Sequence, residues 1–197
     1  MNTSPSAAER FRTVYTDVYD DVLRFVQRRT HDIDRAEDVV ADAMLVAWRR
    51  VDDLPPDPSD ARAWVFGIAR NCLLNSTRSV RRGDALGVRL AGAAGSPRRA
   101  VDDADGFPSA ALVPDTADEV VARVDLAAAW ARLTDEEQDA IALTVLDHLT
   151  SAQAGAVLGI TANAYRLRLS RARATLRRSL QGAASRATAA STREMTS

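Results

Sequence analysis

Residues 149–176 read LTSAQAGAVLGITANAYRLRLSRARATL, and this stretch decides the fold of the C-terminal half. Thr150, in TSAQ, can cap a short helix over 151–158. That helix ends at Gly159, because glycine reaches the left-handed conformation a tight turn needs. Ile160 then offers an apolar plug, Thr161 a second cap, and a long arginine-rich helix follows. Short helix, glycine turn and longer helix make the order of a helix-turn-helix.

At about 100° per residue, Tyr165, Leu169, Ala172 and Leu176 fall on one stripe of the last helix, which must face a core. Opposite them lie Asn163, Ala164, Leu167, Ser170, Arg171, Ala174 and Arg178, with Arg166, Arg168 and Arg173 at the flanks. Small residues on that face permit close approach, and polar groups can meet base edges. Flanking arginines can reach phosphates, and Leu167 can touch a thymine methyl. Residues 161–181 hold six arginines and no acid. A solvated face with extended arginine stems is the plainer explanation. Ordinary surface helices, however, interleave both signs.

Working outward, residues 115–147 carry nine acids against Arg123 and Arg132, so the basic helix follows an acidic segment. A net charge of −1 conceals this local footprint. Thr134, in TDEEQ, caps a further helix. The second helical block spans 118–181, and the Ala/Ser/Thr-rich stretch 182–197 reads as a disordered tail. Before it, 83–117 loses periodicity to Gly, Ala, Pro and Asp and reads as a flexible linker.

The first helical block covers 8–82. Helix one has apolar residues at Phe11, Val14, Tyr15, Val18, Val22, Phe25 and Val26, spaced three and four apart. In helix two, about 34–51, Ala36, Val39, Val40, Ala43, Met44 and Ala47 form the core stripe. Leu45 stands on the opposite face among Asp38, Ala41, Asp42 and Arg49. It is either a single exposed leucine or the centre of a docking patch for a basic helix. LPPDPS, 54–59, must be a loop, with Ser59 or Asp60 capping helix three. Helix three buries Val65, Ile68, Ala69 and Cys72 and runs to about residue 82. Its other face presents Ala63, Gly67, Arg70, Leu74, Arg78 and Arg81, with Asn71 and Arg82 alongside and Trp64 and Phe66 at the edges. Those aromatics are either core rim or platforms for unpaired bases.

The fold class is therefore all-α: two small helical domains joined by a flexible linker, the second with a helix-turn-helix. All 26 basic residues are arginine. Cys72 is the only cysteine, a small apolar thiol, and with His31 and His148 it makes no metal-ligand cluster. The sequence implies no metal, no cofactor and no catalytic constellation, so the chain is read as not an enzyme. It has no secretory leader and no apolar run that spans a membrane, which places it in the cytoplasm.

The run 34–49, DRAEDVVADAMLVAWR, resembles region 2.2 of extracytoplasmic-function sigma factors of bacterial RNA polymerase. The run 61–82, ARAWVFGIARNCLLNSTRSVRR, is similar to their regions 2.3 and 2.4, and the C-terminal motif to region 4.2. The resemblance implies core-polymerase binding through Glu37, Asp38, Asp42 and Leu45. It implies minus-10 recognition by the 54–59 loop and by Arg62, Trp64, Arg70, Asn71, Asn75, Arg78, Arg81 and Arg82. Minus-35 recognition falls to Thr161, Asn163, Ala164, Arg166, Leu167, Arg168, Ser170, Arg171 and Arg173. An anti-sigma partner is implied by the family alone. The chain departs from the pattern at Ala41, Met44, Asn163, Ala164 and Tyr165, where the family commonly has glutamine, an aromatic, glycine, threonine and valine. A dimeric helix-turn-helix regulator acting without polymerase is the alternative, and it leaves the first block unexplained.

Overall fold

Proline cannot donate a backbone N–H, so it is tolerated where a helix begins. In the computed structural model Pro58 opens the third helix, and the Asp57 carboxylate before it accepts from Ser59 N at 2.9 Å and Asp60 N at 3.1 Å. The cap is therefore Asp57, not Ser59 or Asp60. The structure describes residues 6–30, 32–91 and 116–194, and the side chains of these other than 80–91, 117–119 and 183–194. The helices are α1 (Ala7–Thr30), α2 (Ile33–Arg49), α3 (Pro58–Ala91), α4 (Ala117–Trp130), α5 (Asp135–Val145), α6 (Ser151–Leu158) and α7 (Ala162–Glu194). A 3-10 turn, Val51–Asp53, follows α2, and no strand occurs among the described residues.

The chain divides into two compact units. In the first, α1, α2 and α3 pack pairwise against one another. The stripe expected of α2 is entirely buried, and Val22, Phe25 and Val26 of α1 are fully buried. Each valine, methionine or phenylalanine among them contributes about 1.5–3 kcal/mol on leaving water. Helix α3 is covered on two sides, so it buries a wider arc than one stripe: Ala61, Ala63, Phe66 and Leu73 join Val65, Ile68 and Ala69. This corrects the placement of Ala63 on the exposed face and of Phe66 at its edge. Phe66 meets Phe25 edge-on with ring centroids 5.1 Å apart.

Two arginines tie the helices across long sequence distances. Arg62 of α3 donates to Asp21 of α1 at 3.0 and 2.8 Å while lying 4.7 Å from the Phe66 ring centroid. Arg35 of α2 donates to Ser76 at 3.2 Å and Thr77 at 3.1 Å on α3. Burial alone would push the Asp21 carboxyl up, but hydrogen bonds and charge from Arg62, then Arg24, outweigh it and hold the group below the usual carboxylate range.

The second unit is built from α4, α5, the part of α6 through Gly155, and α7. Its core gathers Ala129, Trp130, Leu133, Ala140, Leu143, Tyr165, Leu169 and Ala172. Thr134 and Glu137 form a reciprocal capping box at the start of α5, as expected. Two helix ends lie beyond their expected places. Helix α3 continues to Ala91, so the first nine residues of the expected linker are helical; residues 92–115 lie outside the described residues. Helix α7 continues to Glu194, where a disordered tail was expected from residue 182. Five alanines between 183 and 190 and the absence of proline favour that continuation over the Ser/Thr content.

Candidate functional site

Three outward faces carry the residues singled out above, one on each of α7, α3 and α2. The α7 face begins with the turn before it. Thr150 Oγ1 accepts from Gln153 N at 3.3 Å, and Gln153 Oε1 accepts from Thr150 N at 3.1 Å, so the cap of α6 is reciprocal. Gly159 takes a left-handed φ of 70°, the expected turn. Ile160 N then donates to Gly155 O at 2.9 Å. Gly155 has a role the sequence reading missed. A Cβ there would stand 2.9 Å from the Ile160 carbonyl oxygen and 3.3 Å from Ala162 N. Helix α6 and the entry to α7 therefore meet backbone to backbone. A glycine four residues ahead of the turn glycine was the available signal.

Thr161 caps α7 by accepting from Ala164 N at 3.2 Å. The roll of α7 is set by Tyr165, a fully buried side chain of the chain's core. Its hydroxyl donates to Ala140 O at 2.7 Å and lies 2.6 Å from Thr144 Oγ1, both on α5. Burial pushes this phenol up, although Thr144 and Arg173 oppose the shift, so it stays a neutral donor. With Tyr165, Leu169 and Ala172 inward, Asn163, Ala164, Arg166, Leu167, Ser170, Arg171, Arg173, Ala174 and Arg178 are all exposed. Leu167 is 53% exposed. Arg166, Arg173 and Arg177 line an open hollow of about 360 Å³ with Ser151 and Ser170, roomy enough for a phosphate. Arg166 also donates to Asn163 Oδ1 at 2.6 Å. Arg168 differs from its neighbours: it is half-buried and ion-paired with Glu136 of α5 at 3.0 Å. The structure thus brings together eight of the nine residues expected here and directs the ninth to its own unit.

On α3, Asn71, Leu74, Asn75 and Arg78 are exposed and Arg70 and Trp64 half-buried. Arg62 does not share this face: its guanidinium is committed to Asp21 and Phe66. Arg50, absent from the sequence-based set, stands 5.8 Å from the Trp64 ring centroid and pairs with Asp53 at 3.0 Å. It adds a cation beside the one outward aromatic of this face. Of the expected 54–59 loop, Pro58 and Ser59 belong to α3; Leu54 is buried, and residues 56–59 are exposed. Arg81 and Arg82 belong to α3, but their side chains lie outside the described residues.

On α2, Glu37, Asp38, Ala41, Asp42 and Arg49 are exposed, and Leu45 is 47% exposed among them. Trp48, three residues on, is 44% exposed on the same side; its spacing also suits a core edge, so spacing alone does not place it on this face. Cys72 is half-buried, and burial, then the nearby Asp42 charge, pushes its thiol up. It is an unreactive packing group.

Comparison with known proteins gives a consistent result. The family profile Sigma-70 region 2 matches residues 14–83, and Sigma-70, region 4 matches residues 123–176. The chain is 29% identical over 174 residues to the ECF RNA polymerase sigma factor SigL of Mycobacterium tuberculosis, covering 88% of this chain and 90% of that one. It is 31% identical over 150 residues to the RNA polymerase sigma factor CnrH of Cupriavidus metallidurans, covering 71% and 70% respectively. Among solved structures, CnrH in complex with the cytosolic domain of CnrY aligns with a TM-score of 0.52 and 26% identity, over 89% of this chain and 92% of that one.

Proposed function

The chain belongs to the sigma-70 family as an RNA polymerase sigma factor of the extracytoplasmic-function type, and on that premise we propose how its exposed faces divide the work. A sigma factor binds core polymerase and directs promoter-specific initiation. The match of region 2 across the first block accounts for residues that a stand-alone dimeric regulator left without a role.

The unit over 8–82 docks to core polymerase and handles the minus-10 element. Docking uses Glu37, Asp38, Asp42 and Leu45, extended by Trp48, against a basic helical partner. An apolar centre ringed by charges of one sign suits such a surface. The α3 face, with Arg70, Asn71, Asn75 and Arg78, follows the DNA backbone and exposed bases, and Trp64 with Arg50 offers a stacking platform. Arg81 and Arg82 extend the basic row by sequence. Arg62 contributes by bracing α1 against α3 rather than by touching DNA. The unit over 118–181 reads the minus-35 element through α7. Arg171, Asn163, Ser170, Ala164 and Leu167 face the bases, while Arg166, Arg173 and Thr161 hold phosphates.

The observation that carries this reading is the α7 face itself: acid-free, outward, and fixed opposite a stripe anchored by Tyr165. We assign the protein binding work only, with no catalytic step and no cofactor or metal. Its partners are core polymerase, promoter DNA and an inhibitory protein of the anti-sigma kind. The last is supported by the CnrH–CnrY complex. No described helix is long and apolar enough to cross a membrane; the proposed place of work is the cytoplasm, where polymerase and promoter are. Reconstitution with core polymerase and run-off transcription on genomic fragments tests the whole reading. Discrete start sites that require the chain are expected. Core polymerase that neither binds it nor initiates with it refutes the proposal.

A further inference from the structure

The loop between the 3-10 turn and α3 is fixed at both ends. At its start the Leu54 side chain is buried, and Leu54 N donates to Val51 O at 3.2 Å. At its end the Asp57 carboxylate caps α3, and Asp57 O accepts from Ala61 N at 2.8 Å. Between them stand Pro55 and Pro56, with φ set by their rings and no N–H to bond a neighbour. Pro56 and Asp57 are exposed. These contacts are local, made by the loop with the turn and helix that flank it.

One further support comes from another helix. Arg10, in the first turns of α1, donates from Nη2 to the Leu54 carbonyl at 2.5 Å, across 44 residues of sequence. The start of α1 is itself closed: Glu9 N donates to Ser6 Oγ at 3.2 Å, Ser6 N to Glu9 Oε2 at 2.7 Å, and Arg10 N to Ser6 O at 3.0 Å. A fixed turn therefore presents the guanidinium. Arg10 is not what closes α1 on the bundle. Val18, Val22, Phe25 and Val26, further along the helix, do that from the core, and Asp21 ties α1 to α3 through Arg62. What Arg10 adds is a charge-assisted hydrogen bond, about twice as strong as a neutral one, aimed at the residue where the loop begins.

We infer that Arg10 is a positioning residue for minus-10 recognition: through the Leu54 carbonyl it holds the 54–57 loop in the shape that receives unpaired bases. The inference rests on the reading that this loop takes part in minus-10 recognition, and it adds a residue of α1 that touches no DNA. A loop already in its bound shape loses little chain entropy when it binds, so more of the contact energy remains as affinity. Two prolines stiffen the middle of the loop, the Asp57 cap sets its exit, and Arg10 sets its entry.

The test uses polymerase reconstituted with the full chain and a pool of fork-junction duplexes whose single-stranded stretch is randomised across the minus-10 position. The fork that the wild type enriches then serves as the affinity probe. Arg10→Ala should bind that fork about tenfold more weakly and enrich a flatter set of bases, with affinity for core polymerase unchanged within about twofold. Arg10→Lys keeps a charged donor and should recover binding to within about threefold of wild type. Arg12→Ala removes an exposed cation two residues along α1 and should bind as wild type. Circular dichroism reports the fold of each variant; should Arg10→Ala unfold, Arg10→Gln, a neutral donor, carries the same comparison. A chain with both Pro55→Gly and Pro56→Gly separates the two readings. Weak fork binding by that chain alongside native binding by Arg10→Ala overturns the role of Arg10 and leaves the loop at the minus-10 element. Native binding and an unchanged base profile in both overturn the loop reading and the inference with it. Equal losses for Arg10→Ala and Arg12→Ala would assign the effect to charge alone and overturn the positioning role.

Discussion

Replacing glycine by alanine should change stability in opposite directions at three positions of this chain, and the structure supplies the sign at each. Gly155 sits inside α6, where alanine gains about 1 kcal/mol of helix propensity. Against this, its new Cβ would stand 2.9 Å from Ile160 O, 3.3 Å from Ala162 N and 3.3 Å from Thr161 C. All three are backbone atoms of the turn into α7, so none can rotate away. Overpacking of this kind costs about 1–3 kcal/mol, leaving a net loss of about 1 kcal/mol. For a unit of this size that lowers Tm by about 4–8 °C. At Gly159 a Cβ meets nothing within 4 Å, but φ is +70°, and left-handed backbone costs an ordinary residue about 1–2 kcal/mol. At Gly67, inside α3, a Cβ also meets nothing within 4 Å and φ is helical, so Gly67→Ala should stabilise by about 0.5–1 kcal/mol. Urea unfolding of the full chain, followed by circular dichroism, checks all three. Gly155→Ala should also weaken minus-35 duplex binding, because relief of the overlap must shift α6 against α7. A Gly155→Ala protein as stabilised as Gly67→Ala would refute the close-approach argument.

Three further outcomes follow from the same geometry. Tyr165→Phe keeps the buried ring and removes its hydroxyl, so it should cost about 1–2 kcal/mol for the two lost bonds to α5 and relax discrimination between minus-35 sequences, measured by unfolding and by binding to a promoter library. Arg171→Ala should cost about 1–3 kcal/mol in a base-dependent way, whereas Arg168→Ala, already paired with Glu136, should leave the sequence profile unchanged; identical profiles for wild type and Arg171→Ala would misplace the reading face. Asp21 has a folded-state pKa below its unfolded value, so its stabilising contribution is present above about pH 4 and is lost as pH falls through the folded value; Asp21→Asn should flatten the urea midpoint between pH 6 and pH 3 relative to wild type, and equal acid sensitivity would count against the Arg62 clamp.

The helical repeats were readable because they are local. The stripe of α2 and the opposite face of α7 follow from spacing alone and emerged as read; of the α7 stripe, Tyr165, Leu169 and Ala172 are buried and Leu176 is half-buried. Caps at Thr134, Thr150 and Thr161 were readable for the same reason: a side-chain oxygen and a backbone N–H three residues away meet in any helix start. The cap at Asp57 was missed because proline at the first helical position moves the start back by two residues. Helices α3 and α7 run past their expected ends because alanine and arginine sustain a helix where glycine, serine and threonine alone suggest a loop.

The sequence by itself determined an all-helical chain in two blocks, a helix-turn-helix, and the family to which the chain belongs, since these rest on period, order and short motifs. Only the tertiary structure decided which side chains of a given face are available. Arg62 and Arg168 have the same spacing relative to their helices as their outward neighbours, yet each finds a carboxylate on another helix, Asp21 and Glu136, and turns to it. Phe66 enters the core because α3 lays it against Phe25 of α1, and Tyr15 stays 40% exposed although α1 packs against both α2 and α3. Periodicity reports the direction of a side chain from its own axis. What waits in that direction, a carboxylate, a ring or water, is set by residues roughly 40 positions away in the case of Arg62 and Asp21, and no local pattern encodes it.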